Sequence, residues 1–320
     1  MIKPFTGTSL KPSTPGAPRH FPTPVPSVGQ RTGRDQRTRL FDSSVGTIEN
    51  LVRCGTSQRS AEDYSAEFQV CLPYRGLFVW HVGGDDVVGD PNQVIFVRAG
   101  ETYRMSAPVH GGYAEVIVTP HVDLMAEIAG VHTARALREH AMFRRRAGLA
   151  PPSLQAFRSG FLHWATSSSD VDQLQADDSM IKLLQAAFQG DGRWQRAAGP
   201  TTTRLIRRTK EFVQSRLTTR LRLADIGREV EASPAYLTDV FRRVEGIPLH
   251  QYVTRLRLGR ALTELPQAAD LTALALDLGF SSHSHFSASF RRAYGCSPSE
   301  FRNASRRFVA AISGRLQRSA

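Results

Sequence analysis

The sequence predicts an α+β protein in two parts: a small β-sandwich or barrel carrying a helical hairpin, then an all-α part with two helix-turn-helix units. Three observations lead there. The hexapeptide FRRVEG at 241–246 returns as FRRAYG at 290–295, an offset of 49 residues, and a proline follows each copy at Pro248 and Pro298. Short apolar runs broken by glycine fill 45–119, the texture of many short strands. Charge is uneven: the 320 residues hold 41 Lys+Arg and 29 Asp+Glu, and the last 120 alone hold 20 basic and 10 acidic residues, a net +10 that suits a polyanionic partner.

In chain order, 1–39 is rich in Pro, Thr, Ser and Arg and is expected to be a disordered arm without the apolar core of a signal peptide. The next part, 40–190, offers strand candidates in TIENLVR, EFQVCL, GLFVWHV, DDVVGD, QVIFVRAG, TYRMSA and YAEVIVT. Helical period then takes over in HVDLMAEIAG, PPSLQAFRSGFLHWATSS and DQLQADDSMIKLLQAAFQG. The last two place Leu154, Phe161 and Trp164, then Leu174, Met180, Leu184 and Phe188, on apolar faces. They read as a hairpin that docks on the sheet or on a second copy of the chain. A linker is expected at 191–200, the helical part at 201–305, and a tail at 306–320.

Within the helical part each repeat has its own start and stop signals. In the first, LADIGREV leads through Glu231-Ala232 to Ser233-Pro234, where Ser233 caps free backbone N–H groups and Pro234 fits the first helical position. In the second, LTALALDLGF ends on Gly279 before Ser281-Ser282 begin the next helix. Leu237 and Phe241, like Phe286 and Phe290, stand one helical turn apart and share a buried face, leaving Arg242, Arg243, Arg291 and Arg292 toward solvent. Between the repeats, 247–265 reads as one amphipathic helix with Tyr252, Leu256, Ala261, Leu262 and Leu265 inward. A stiff connector fixes the separation of the two second helices, and successive major grooves of DNA recur every ~34 Å on one face.

These residues resemble the DNA-binding domain of the AraC/XylS family of bacterial transcription regulators. The likeness rests on Leu223, Ser233, Leu237, Phe241, Arg242, Gly246, Tyr252, Arg257, Ala261, Leu265, Ala275, Gly279-Phe280, His285-Phe286, Phe290, Gly295, Pro298 and Arg302. It implies a seven-helix domain joined to a sensing or dimerising domain, with promoter DNA, a small-molecule effector, a second copy of the chain and RNA polymerase as partners, in the cytoplasm, often as an activator. Carried over position by position, it assigns DNA contact to Ser233, Ala235, Tyr236, Thr238, Asp239, Arg242 and Arg243 in the first unit. In the second it assigns His283, Ser284, His285, Ser287 and Arg291. Asp239 departs from the basic or amide residue frequent there, so it either accepts from a cytosine amino group or pairs with Arg242 or Arg243. His285 either reads DNA or packs under the turn. Two further departures are Glu231, where the family usually has glycine, and Gly227, where it usually has alanine; each is expected to cost about 1 kcal/mol.

The run 89–105 resembles the turn and strand pair of the cupin-like barrels in the N-terminal half of that family. Such an interior can hold a small molecule. Alternation puts Phe78 with Trp80 and Phe96 with Arg98, and with Tyr103 and Tyr113 these are the candidate ligand-binding residues, Arg98 suiting an anion if it points inward. The alternative for all of them is ordinary core packing. His81, His110 and His121 form no His-x-His pair with a following glutamate, so no metal and no cofactor are expected. Neither a nucleophile elbow nor a phosphate-binding glycine loop is present. The rival from another class is a cupin-type metalloenzyme with a basic C-terminal localisation domain. Cys54, Cys71 and Cys296 suit a reducing compartment, and no run of about 20 apolar residues is there to span a bilayer.

Overall fold

The computed structural model describes residues 35–167, 172–188 and 199–305. Its ten strands are β1 (Gln36–Asp42), β2 (Gly46–Arg53), β3 (Asp63–Tyr64), β4 (Gln69–Gly76), β5 (Phe78–Val82), β6 (Asp85–Gly89), β7 (Gln93–Val97), β8 (Thr102–Ser106), β9 (Tyr113–Pro120) and β10 (Ala147–Leu149). They make a six-stranded sheet in the order β1-β2-β9-β4-β7-β10 and a four-stranded sheet in the order β3-β8-β5-β6. Every pairing is antiparallel. All seven sequence-marked runs are strands. β1 begins at Gln36, inside the stretch expected to be a disordered arm, because its backbone completes the ladder along β2 and Arg37 donates to Glu49 at 2.5 Å. The rest of that arm, the tail, and nearly all of the expected linker lie outside the described residues.

Helices α1 (Val122–Ile128), α2 (Ala134–Glu139), α3 (Ala141–Arg145), α4 (Pro152–Ser167) and α5 (Gln173–Phe188) follow. The larger sheet is buried on both faces through its centre, at β9 and β7, while its edge strand β1 is mostly exposed. Ile48, Val70, Phe96, Val116 and Val118 pack with Leu154, Phe161, Met180 and Leu184 of the helices. From the opposite face Leu51, Cys71, Ile95, Val97 and Ile117 meet Phe78, Trp80 and Val82 of the smaller sheet. The hairpin's apolar face therefore docks on the sheet. Leu174, expected on that face, is 79% exposed at the first turn of α5.

The helical part comprises α6 (Pro200–Ser215), α7 (Leu223–Val230), α8 (Pro234–Glu245), α9 (Leu249–Glu264), a short 3-10 turn (Leu265–Gln267), α10 (Leu271–Asp277), α11 (His283–Tyr294) and a last helical stretch from 298 to 305. Gly199 precedes α6 and Pro200 occupies its first turn, so the helix starts at the final residue of the expected linker. Two cores lie on either side of α9. Leu237, Phe241, Tyr252 and Leu256 anchor the first, while Leu262, Leu265, Phe280, Phe286 and Phe290 anchor the second. Arg257 ties them together, donating to the carbonyls of Leu217 and Thr219 at 2.9 and 2.7 Å with its guanidinium over the Phe280 ring. Gly279, at φ 84°, sits against that guanidinium: a Cβ there would stand 2.9 Å from it.

Candidate nucleic-acid interface and inter-sheet cavity

Helices α8 and α11 are built alike. Ser233 Oγ accepts from the Tyr236 N–H and Ser282 Oγ from the His285 N–H, each capping its helix. Each ends at a glycine in the left-handed conformation, Gly246 at φ 74° and Gly295 at φ 76°, with arginines in the last turn. The preceding turns differ. Glu231 closes α7 at φ 57°, ψ 41°, a left-handed conformation that glycine would adopt without strain. Gly227 faces the same turn: a Cβ on it would stand 2.7 Å from the Ala232 carbonyl oxygen, so the tight approach of α7 to its turn favours glycine at that point. Helix propensity alone misses this.

In the first unit Ser233, Ala235, Tyr236, Thr238, Asp239, Arg242 and Arg243 are all exposed along one side of α8, opposite buried Leu237, Val240 and Phe241. Tyr236 is 51% exposed, a large apolar surface at the leading end of the helix. Asp239 accepts from Arg243 at 2.5 Å, the intrahelical alternative of the two open to it. In the second unit Ser284, His285 and Arg291 are exposed. His283 and Ser287 are half-buried, with His283 Nε2 and Ser287 Oγ 3.4 Å apart, so they face solvent less fully than expected. His285 Nδ1 lies 3.2 Å from Ser281 Oγ and its ring stands edge-on to Phe280 of the turn, while the residue stays exposed.

Between the two sheets lies a cavity of about 50 Å³, room for a few waters or one very small molecule, since a water needs about 10–15 Å³ on this measure. Phe78, Trp80, Tyr103 and Tyr113 line it. Phe96 and Arg98 do not. Ile95 and Val97 face the cavity instead, which turns Phe96 to the helices, where it meets Phe143 and Phe188, and Arg98 to the turn, where it pairs with Glu101 at 3.0 and 2.5 Å. The charged groups at the cavity are Arg37, Arg53, Asp63 and Glu115. Glu115 is 3% exposed; burial raises its carboxyl to about 7 despite the opposing pull of Arg53 and Arg37. Among the described residues, Glu115 Oε2, Tyr113 OH and Arg53 Nε have no hydrogen-bond partner. A charged residue inside the apolar run YAEVIVT was the available signal for Glu115. Of the histidines, His81 is held between Asp86 at 2.6 Å and Ser106 at 2.9 Å. No group of three or more His, Cys, Asp or Glu that could hold a metal ion is present among the described residues.

Two capped helices of equal length, each presented by a preceding short helix and turn, define a DNA-binding transcription regulator of the double helix-turn-helix class. Residues 226–304 match the family described as a helix-turn-helix domain. The chain is 36% identical over 93 residues to the HTH-type transcriptional activator AarP of Providencia stuartii, covering 28% of this chain and 68% of that protein. It is 22% identical over 212 residues to the Msm operon regulatory protein of Streptococcus mutans, covering 64% of this chain and 76% of that one. A solved AraC-type transcriptional regulator from Chromobacterium violaceum matches at 27% identity, covering 32% of this chain and 91% of that chain, with a TM-score of 0.30. The chain belongs to the AraC/XylS family of bacterial transcription regulators. Among the described residues no helix is long and apolar enough to cross a membrane.

Proposed function

We propose that this regulator acts as one chain reading two successive major grooves, with α8 and α11 as its recognition helices. The observation that carries the reading is the matched pair itself: same length, same serine cap, same glycine stop, and exposed polar residues on the outward side of each. Helix α9, 16 residues and so roughly 24 Å long, spans the two units. Arg242, Arg291 and Arg292 hold phosphates, while the first turns of both helices meet base edges. The domain boundaries expected from the sequence, 40–190 for sensing and 201–305 for DNA, belong to this reading. So do a homodimer, contact with RNA polymerase, activation as the mode of action, a cytoplasmic site of action and the absence of catalysis.

The inter-sheet cavity is the proposed effector site. Its support is that three residues lining one small space, Glu115, Tyr113 and Arg53, each carry a buried polar atom that makes no hydrogen bond, since a buried donor or acceptor left unmatched costs about 1–3 kcal/mol and a ligand supplying the match recovers it. A duplex selected from random DNA by the full chain tests the DNA reading. Arg291→Ala should weaken binding to selected and scrambled duplexes alike, and Ser284→Ala should change which sequence is selected. Selection of the same sequence by both variants at unchanged affinity would overturn the contact assignment. Iron or zinc in stoichiometric amount in the purified protein would instead favour the metalloenzyme.

A further inference from the structure

The β6–β7 turn enters the helical part. Lys210 Nζ on α6 lies 3.1 Å from Asp90 Oδ2 and 2.8 Å from Glu245 Oε2, and all three side chains are fully buried. Burial opposes the charge on Lys210, but Asp90 and Glu245 hold its ammonium above the ordinary value. Tyr252 OH donates to Asp90 Oδ2 at 3.1 Å, Gln93 Nε2 donates to Glu245 Oε2 at 3.0 Å, and Asn92 Nδ2 donates to the Tyr252 carbonyl at 3.1 Å. The turn is thus bonded to the last residue of α8.

Helix α4 extends the same chain of bonds to the other unit. Gln155 Nε2 donates to the Pro91 carbonyl at 2.7 Å and to Asn92 Oδ1 at 3.1 Å, and its Oε1 accepts from Tyr294 OH at 3.4 Å. Ser159 Oγ donates to the Leu262 carbonyl at 3.3 Å nearby. Tyr294 is the last residue of α11, as Glu245 is of α8, and the two are the same position of the 49-residue repeat. One polar bridge from the sheet-bearing part therefore grips both second helices at equivalent points.

We infer that Asp90, Gln93 and Gln155 are positioning residues for DNA recognition: through Glu245 and Tyr294 they set the pose of α8 relative to α11. The connector α9 fixes the separation only together with this bridge, and a rearrangement of the sheet-bearing part reaches the DNA side through it. Its polar make-up suits a joint that opens and closes, since burying ionic groups gives little net stability compared with apolar packing of the same shape. The role given to the two helices rests on the proposed function, but their geometry is measured without DNA, so failure of one does not imply failure of the other.

The test is a distance distribution in the full chain, with spin labels on cysteines introduced at the exposed, repeat-equivalent Arg242 and Arg291, and with Cys54 and Cys296 changed to serine. The parent should give one narrow distribution. Gln155→Ala and the double variant Asp90→Ala with Gln93→Ala should each broaden it or add a second distance, while the helical circular-dichroism signal is kept, because the Lys210–Glu245 pair and the Phe290 cluster remain in place. If the double variant fails to fold, Gln155→Ala decides alone. A distribution of unchanged mean and width in a folded variant would show that α9 sets the pose by itself and would overturn the inference. As a second readout, a selected duplex with both half-sites should lose tenfold or more in affinity for each variant, and a duplex with one half-site should not. Equal losses on both would also count against it.

Discussion

Replacing Glu115 with glutamine isolates the buried carboxyl at the cavity. The carboxyl is buried, its value is raised to about 7 from 4.5 by burial, and Arg53 and Arg37 offset only part of that. Below pH 4.5 it is protonated in both the folded and unfolded chain and contributes nothing to the pH dependence. Between 4.5 and 7 the unfolded chain releases this proton while the folded chain keeps it, so the folded state binds more protons and stability falls as pH rises. The shift of 2.5 units, from 4.5 to about 7, corresponds to about 3 kcal/mol lost by pH 8 at ~1.36 kcal/mol per unit. Glutamine is neutral throughout, so Glu115→Gln should match the wild type near pH 4 and exceed it by about that amount at pH 8. Urea denaturation at half-unit steps from pH 4 to 8 measures the difference. A gap between the two proteins that is constant across that range would refute the argument, because it would place the cost of Glu115 in its shape and not in its charge.

Other outcomes follow from contacts already described. Gly227→Ala should destabilise by about 1–2 kcal/mol although alanine is the better helix former by about 1 kcal/mol, because the added Cβ meets the Ala232 carbonyl oxygen at 2.7 Å; a thermal melt shifted upward would contradict it. Glu231→Gly should be near neutral to stabilising by about 1 kcal/mol, the relief of left-handed strain set against a more flexible unfolded chain. Asp239→Ala frees Arg243 from its 2.5 Å ion pair and should raise affinity for unrelated DNA and steepen the slope of log K against log salt by about 1. Phe290→Ala empties a fully buried site ringed by Phe286, Tyr294 and Phe301 and should cost about 3–5 kcal/mol by chemical denaturation.

The helical part was legible because its signals are local. Serine caps, glycine stops and one-turn spacing of Leu237 with Phe241 need no tertiary information, and the repeat states them twice. The sheet-bearing part was legible as strands but not as faces. Every residue of β7 is buried, since one side meets the smaller sheet and the other meets α3 and α5, so polarity gave no parity and Phe96 with Arg98 fell on the wrong side. The same double burial hid Glu115 among apolar neighbours in β9. The grip of Asp90 on Lys210 joins segments far apart in sequence, and nothing within a short window around either residue announces it. The 2.7 Å approach of Gly227 to Ala232 is local, but it depends on how tightly the chain turns between them, which helix propensity does not report.

The joint at 90–93 bears on how regulators of this shape can be recombined. A hybrid made by grafting a foreign sensor onto residues 199–305 would bring its own loop to a socket cut for Asp90 and Gln93, leaving Lys210 and Glu245 with mismatched neighbours. Transplanting the loop and Gln155 along with the sensor would not suffice, because the socket itself is written in α6, α8 and α9. Halves of such proteins are interchangeable only as far as these few side chains travel as a set.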